Sequence, residues 1–173
     1  MLGDKGFPYY DAVMNRFTKN YLSMVRNAAR GDNNMFRNYY LERDGVEVDV
    51  LKDGAFSCAV FVSSVLYLQN SSLEFAGRPR WISYVHANVP SNEKDMEANG
   101  WRRIEELREG AVITWEPKPG ADGTPHLHQG FFVGGERAVS NGSNSTLMPQ
   151  EHHVTYDGTR KIERIWWHES LED

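Results

Sequence analysis

At 173 residues, 40% of them hydrophobic and 12% aromatic, the chain is long enough for one domain with a full core and too short for two ordinary ones. Its net charge of -5, with basic residues interleaved among acidic ones, gives no general attraction to phosphate or anionic lipid and argues against a nucleic-acid partner. The single cysteine, Cys58, excludes an internal disulfide and a zinc site built from cysteine pairs.

The N-terminal stretch MLGDKGFPYYDAVMNRF lacks a basic segment followed by an apolar one, and nowhere do about 18 apolar residues run together. No membrane span is expected. The chain as it stands reads as soluble and cytoplasmic, with the cell envelope as its place if a leader has been removed. Nothing in the pattern sets an oligomeric state.

Residues 8–30 space Tyr10, Val13, Met14, Phe17, Tyr21, Met24, Val25 and Ala28 at three- and four-residue intervals, with Pro8 near the start and Gly31 at the end, which predicts an amphipathic helix. Residues 1–38 then form an N-terminal helical extension of one domain spanning 1–173. YYLERDGVEVDVL (39–51) alternates around Asp44-Gly45, the pair a tight hairpin turn favours because both central positions need positive φ. Residues 58–69 predict a helix apolar on nearly every side, hence buried.

Ser91 to Asn99 predicts a short polar helix stopped by Gly100, and GAVITW (110–115) a strand. HQGFFVGGERAVSN (128–141) reads as two strands joined at Gly134-Gly135, and IERIWWH (162–168) as another. The stretches 116–125 and 141–151 read as loops. Helices first and antiparallel strands afterwards imply an α+β domain with N-terminal helices packed on an antiparallel sheet.

Asp53-Gly54 turns the chain just ahead of Cys58, and Ser57 is available as N-cap, which puts Cys58 in the first turn of the buried helix. Free N–H groups and the helix dipole stabilise a thiolate there, whereas the plain alternative is a small core residue beside Phe61 and Val62. A cysteine nucleophile also needs a base and a group to orient it. Of the six histidines, His86, His152, His153 and His168 read as surface or packing residues, while His126 and His128 begin a strand. With Gly134-Gly135 as a two-residue loop, His128 faces Asn141 across the ladder, with Ser140 beside it; a slip to a Gly135-Glu136 loop would pair His128 with Ser143.

Three segments, SCAVFVSSVLY, GWRRIEELREGAVITW and HQGFFVGGERAVSN, resemble the signature segments of NlpC-type peptidases, the papain-like bacterial enzymes that cut peptide bonds in cell-wall peptidoglycan. The resemblance runs over residues 39–141, and the order Cys then His separates it from permuted relatives. It implies a papain-like fold, Cys58 as nucleophile and His128 as base, with the third polar position on Ser140 or Asn141. Asn141 is the choice on chemistry, since its carbonyl can accept from the imidazole and fix the tautomer. Ser57 stands where the family usually has Asp, Ala111 replaces another usual Asp after Gly110, and no histidine stands at the third position, which marks a divergent member. Tyr40 is the nearest counterpart of the family's substrate-contacting tyrosine, and Ser57 and Ser140 complete the substrate-binding set.

The activity so implied is cleavage of an amide or peptide bond through a thioester, with a peptide or peptidoglycan fragment as substrate and no cofactor. Two other classes fit the same residues. One is an inactive binding or regulatory module, and the other an acyltransferase using the same acyl-enzyme. A metal site on His126 and His128, with His152 or His153, is a further reading, with no carboxylate to complete its ligand set.

Overall fold

The computed structural model describes residues 17–120, 122–142 and 146–172. Helix α1 (Phe17–Ala28) turns Phe17, Tyr21, Leu22 and Val25 inward, the apolar stripe its spacing predicts. The start of the predicted 8–30 helix lies outside the described residues. Tyr21 ties α1 to the rest of the core. Its ring meets Trp81 and Phe131 edge-on at 4.9 and 5.7 Å, and its hydroxyl donates to Gly110 O at 2.9 Å.

Strands β1 (Tyr40–Arg43) and β2 (Val46–Asp49) form the predicted hairpin, with Asp44 and Gly45 at φ 53° and 75° in the turn. Helix α2 (Cys58–Phe75) begins where expected and runs six residues beyond the predicted end at 69. Tertiary bonds hold this polar last stretch helical: Asn70 Nδ2 donates to Ile82 O at 2.7 Å, Asn70 Oδ1 accepts from Trp81 N at 2.9 Å, and Leu73 is fully buried. Helix α3 (Val89–Ala98) starts at an Asn88 cap, whose side chain accepts from Ser91 N, with Pro90 in the first turn.

The remaining strands are β3 (Arg102–Ile104), β4 (Val112–Pro119), β5 (Pro125–Gly134), β6 (Arg137–Asn141), β7 (Pro149–His153) and β8 (Ile162–Trp167). They form one antiparallel sheet in the order β3-β8-β4-β5-β6-β7, with α1 and α2 packed against it, so the architecture is α+β. Residues 149–153, the first three of them in the expected loop 141–151, pair with all of β6 instead. One core joins α1, α2 and the inner sheet face through Val25, Phe61, Leu66, Phe131 and Trp166. A smaller core on the other face gathers Ile113, Trp115, Phe132, Ala138 and Val154.

The β5–β6 turn departs from the expected register. Gly135 and Glu136, at φ 54° and 61°, are the turn residues, and a bulge beside Gly134 leaves Val133 unpaired. Gly130 then faces Ser140, and continuing this register sets His128 opposite Gly142 rather than Asn141 or Ser143. A one-residue change exchanges the two faces of a strand. Ser140 therefore shares a face with His128, and Asn141 is turned to the α2 side, where its Nδ2 reaches Phe36 O at 3.5 Å.

Among the described residues no helix is long and apolar enough to cross a membrane.

Candidate active site

Asp49, at the end of β2, organises the loop leading to Cys58 by accepting the N–H groups of Tyr39, Leu51 and Asp53 at 3.0, 3.1 and 2.8 Å. Against the upward push of burial, these donors and Asn38 hold its carboxyl down at about 2. Lys52, Asp53 and Gly54 follow with positive φ, and Arg37 grips Asp53 with two N–H donors at 2.6 and 2.8 Å. Gly142 backs this turn at φ 79°, where a Cβ would lie 2.7 Å from Gly54 O.

Ser57 occupies the N-cap position but does not cap. Its hydroxyl donates to Gly54 O at 2.8 Å, and its backbone is already helical (φ -82°, ψ -5°). The helix N-terminus is thus left to Cys58. Ser57, expected to bind substrate, is fully buried in this contact and is not among the residues that line the cleft at Cys58. Tyr40, the expected counterpart of a substrate-contacting tyrosine, is 58% exposed on the β1–β2 hairpin and does not line the cleft at Cys58.

Cys58 Sγ lies alongside β5, 4.0 Å from Leu127 O, just past the last β5–β6 pair. The side chain is 9% exposed. Burial pushes the thiol up from its ordinary value, opposed by the N–H groups of Gln129, Ala59 and Cys58 and by the Arg160 guanidinium. A helix N-terminus alone would lower it; desolvation outweighs that pull.

His128 is 6% exposed, with Trp115 opposite it on β4 and the two rings 5.4 Å apart. Its Nε2 is 2.9 Å from Ser140 Oγ, which is also 2.8 Å from His152 Nε2 and 2.9 Å from the Tyr156 hydroxyl. The proton positions in this cluster follow from one end. His152 Nδ1 lies 2.9 Å from His153 O, a carbonyl that can only accept, so Nδ1 carries the proton. Burial lowers the His152 pKa and keeps the ring neutral, which leaves Nε2 as an acceptor for the one Ser140 hydroxyl proton. The arrangement that satisfies these three contacts has Ser140 Oγ accepting from Tyr156 and from His128, with His128 protonated on Nε2 and the lone pair on Nδ1.

Burial, with Arg160 and His152 adding to it, holds His128 well below the ordinary imidazole value. The imidazole is therefore a neutral base with one nitrogen held and the lone pair on the other. The residue that holds it is Ser140, not Asn141, because the bulge at Gly134 put Ser140 on its face of the sheet. Ser140 is itself fully buried and enclosed by His128, His152 and Tyr156, so its place is behind the imidazole rather than against substrate.

Cys58 and His128 line one cleft of about 550 Å³, together with Phe56, Asn88, His126 and Arg160. His126, 40% exposed, is held by Asp122 Oδ1 at 2.9 Å and Thr124 Oγ1 at 2.7 Å, and its ring lies 4.6 Å from that of Phe56. Among the described residues no three or more His, Cys, Asp or Glu side chains gather as a metal site.

Tyr156, Trp115 and Arg160 did not stand out in the sequence, and His152 entered only as a surface or packing residue or as a candidate metal ligand. His152 stacks on Tyr156 at 4.0 Å, and Trp115 lies against both rings, its Nε1 donating to Val154 O at 2.7 Å. The tandem histidines of QEHHVTY were the available signal, but only the β6–β7 pairing tells which of them faces Ser140.

Comparison with protein-family models, with curated proteins and with solved structures finds no match to this chain.

Proposed function

We propose that this chain is a cysteine hydrolase that cleaves an amide or peptide bond through a thioester, a divergent relative of the NlpC-type peptidases with a papain-like arrangement of helix and sheet. The substrate class that goes with this reading is a peptidoglycan stem peptide or a related peptide. The observation that carries it is the hydrogen-bond chain from His153 O to His128, which holds a neutral imidazole by Nε2 on a residue that lines the same cleft as Cys58.

In the mechanism so proposed, His128 Nδ1 takes the Cys58 proton as Sγ attacks the carbonyl carbon. The backbone N–H of Cys58 meets the oxyanion at the start of α2. Collapse of the tetrahedral species breaks the C–N bond, the amine leaves with the proton from His128, and the acyl group stays on Sγ. Water then gives a proton to His128 and attacks the thioester, and the released thiol recovers that proton. Ser140 would keep Nε2 protonated throughout and so keep Nδ1 as the base.

A binding module that has lost turnover is favoured by one observation, the burial that raises the thiol pKa and lowers that of the imidazole. The two readings separate on turnover. Incubation with peptidoglycan fragments and simple peptide amides should give amine release from the wild-type protein and none from Cys58→Ala. Absence of release from both would leave the binding module.

A further inference from the structure

Arg160 enters the cleft from the chain between β7 and β8. Its Nε donates to Glu116 O at 3.0 Å and its Nη2 to His126 O at 3.1 Å, both neutral backbone carbonyls. Of the five guanidinium N–H donors, three remain for a ligand after these two. The Glu116 carboxylate does not pair with it and accepts the Lys161 N–H at 2.9 Å instead. Arg160 forms no ion pair among the described residues, although the group is partly buried and lines the cleft beside Cys58 and His128.

A cation withdrawn from water without a counter-charge is costly, and a planar fork pinned by its inner edge is pre-organised for an anion with two acceptor oxygens. Two further cations line the cleft, Lys52 and Lys118, and Lys118 too is held by a backbone carbonyl, that of Thr159. Asp122, the one lining carboxylate among the described residues, is engaged by His126 and lies 3.9 Å from Lys52 Nζ, so it does not serve Arg160.

We infer that Arg160 is a substrate-binding residue that receives a carboxylate carried by the substrate close to the bond Cys58 attacks. This deepens the hydrolase reading and rests on it for which bond lies beside the carboxylate. Two sources supply that chemistry, the free C-terminus of a short peptide and an acidic side chain.

The first test needs no turnover. Iodoacetate and iodoacetamide alkylate the same thiol and differ in charge, so the ratio of their rates on folded protein reads anion recognition, while a general change in thiol ionisation affects both alike. The ratio should fall by about tenfold in Arg160→Gln and be partly kept in Arg160→Lys, the difference expected between losing a charge-assisted pair and losing only its fork geometry. An unchanged ratio in Arg160→Gln overturns the inference.

The second arm follows the Arg160 Nε–H signal by NMR during titration with acetyl-Ala-Ala, its C-terminal amide, and acetyl-Asp-Ala amide. Response to the first alone assigns a chain terminus, and response to the third alone a side chain. Response to none, or equal response to the neutral amide, overturns the inference. If Cys58 resists both alkylating agents while the carboxylate titration responds, the hydrolase reading fails and the carboxylate site stands.

Discussion

Ser140→Ala is the substitution that probes the site's internal logic. It deletes a hydroxyl that hydrogen-bonds with His128, His152 and Tyr156. A buried hydrogen bond is worth about 1 kcal/mol net, with a further cost when a partner is left unsatisfied. The expected loss is therefore about 2–3 kcal/mol, small enough against a typical domain stability of about 5–15 kcal/mol for the variant to fold. The effect on rate is larger in kind. Without Ser140 nothing holds the His128 proton on Nε2, so Nδ1 is no longer reserved as the base, and turnover should fall about 10²-fold or more, within the range set by general-base catalysis.

Asn141→Ala is the control, because among the described residues its Oδ1 has no hydrogen-bond partner and its Nδ2 makes one long contact to Phe36 O. It should cost under about 1 kcal/mol and leave the rate within about twofold. Urea denaturation gives the stabilities, amine release the rates, and ring ¹⁵N shifts the His128 tautomer. If Asn141→Ala is the slower enzyme, or Ser140→Ala keeps the Nε2–H tautomer and full rate, the proton assignment derived for this cluster is wrong.

His128→Ala should abolish turnover, whereas His126→Ala, which removes a half-exposed ring held by Asp122 and Thr124, should lower it only modestly; the reverse order in an amine-release assay would move the base to His126. Gly130→Ala would place a Cβ 2.5 Å from Val139 O and 2.8 Å from Ser140 Cβ, so it should cost about 1–3 kcal/mol in urea denaturation and disturb the His128–Ser140 bond as well. Stability should fall on acidification below about pH 6.5, because burial depresses the folded-state pKa of His128, His152 and His168. The unfolded chain then binds protons the folded one refuses, at up to about 1.4 kcal/mol per pH unit for each. Denaturation midpoints flat from pH 7 to 4.5 would contradict this. Alkylation of Cys58 in the folded protein should accelerate above the free-thiol value of about 8.5 rather than near neutrality, since burial raises this thiol; fast reaction at pH 6–7 would contradict that.

The elements with strong local signals were legible from the chain alone. Asp44-Gly45 dictates a two-residue turn, and the apolar run after Cys58 dictates a buried helix start; both form as expected. Cys58 and His128, singled out in the sequence, line one cleft, and Ser140, the alternative there to Asn141, meets His128. The choice between Ser140 and Asn141 turned on one residue of register, and the bulge at Gly134 that decides it has no local signature separating Gly134-Gly135 from Gly135-Glu136. His152 was hidden because β7 has little strand propensity of its own, and β6 supplies its partner across a connection the pattern reads as loop. The direction of the thiol shift was misjudged for a related reason: helix position is readable in sequence, whereas the depth of burial at the Cys58 sulfur depends on β5 passing beside it.

The central claim is that Cys58 carries the acyl group of a cleaved amide, and intact-mass spectrometry of acid-quenched turnover mixtures tests it most directly. During hydrolysis of a peptide amide the wild-type protein should gain the mass of the acyl portion, the adduct should map to Cys58 and be released by hydroxylamine, and Cys58→Ala should show neither adduct nor amine release. Amine release by Cys58→Ala at the wild-type rate, or steady wild-type turnover with the adduct on another residue, would contradict it.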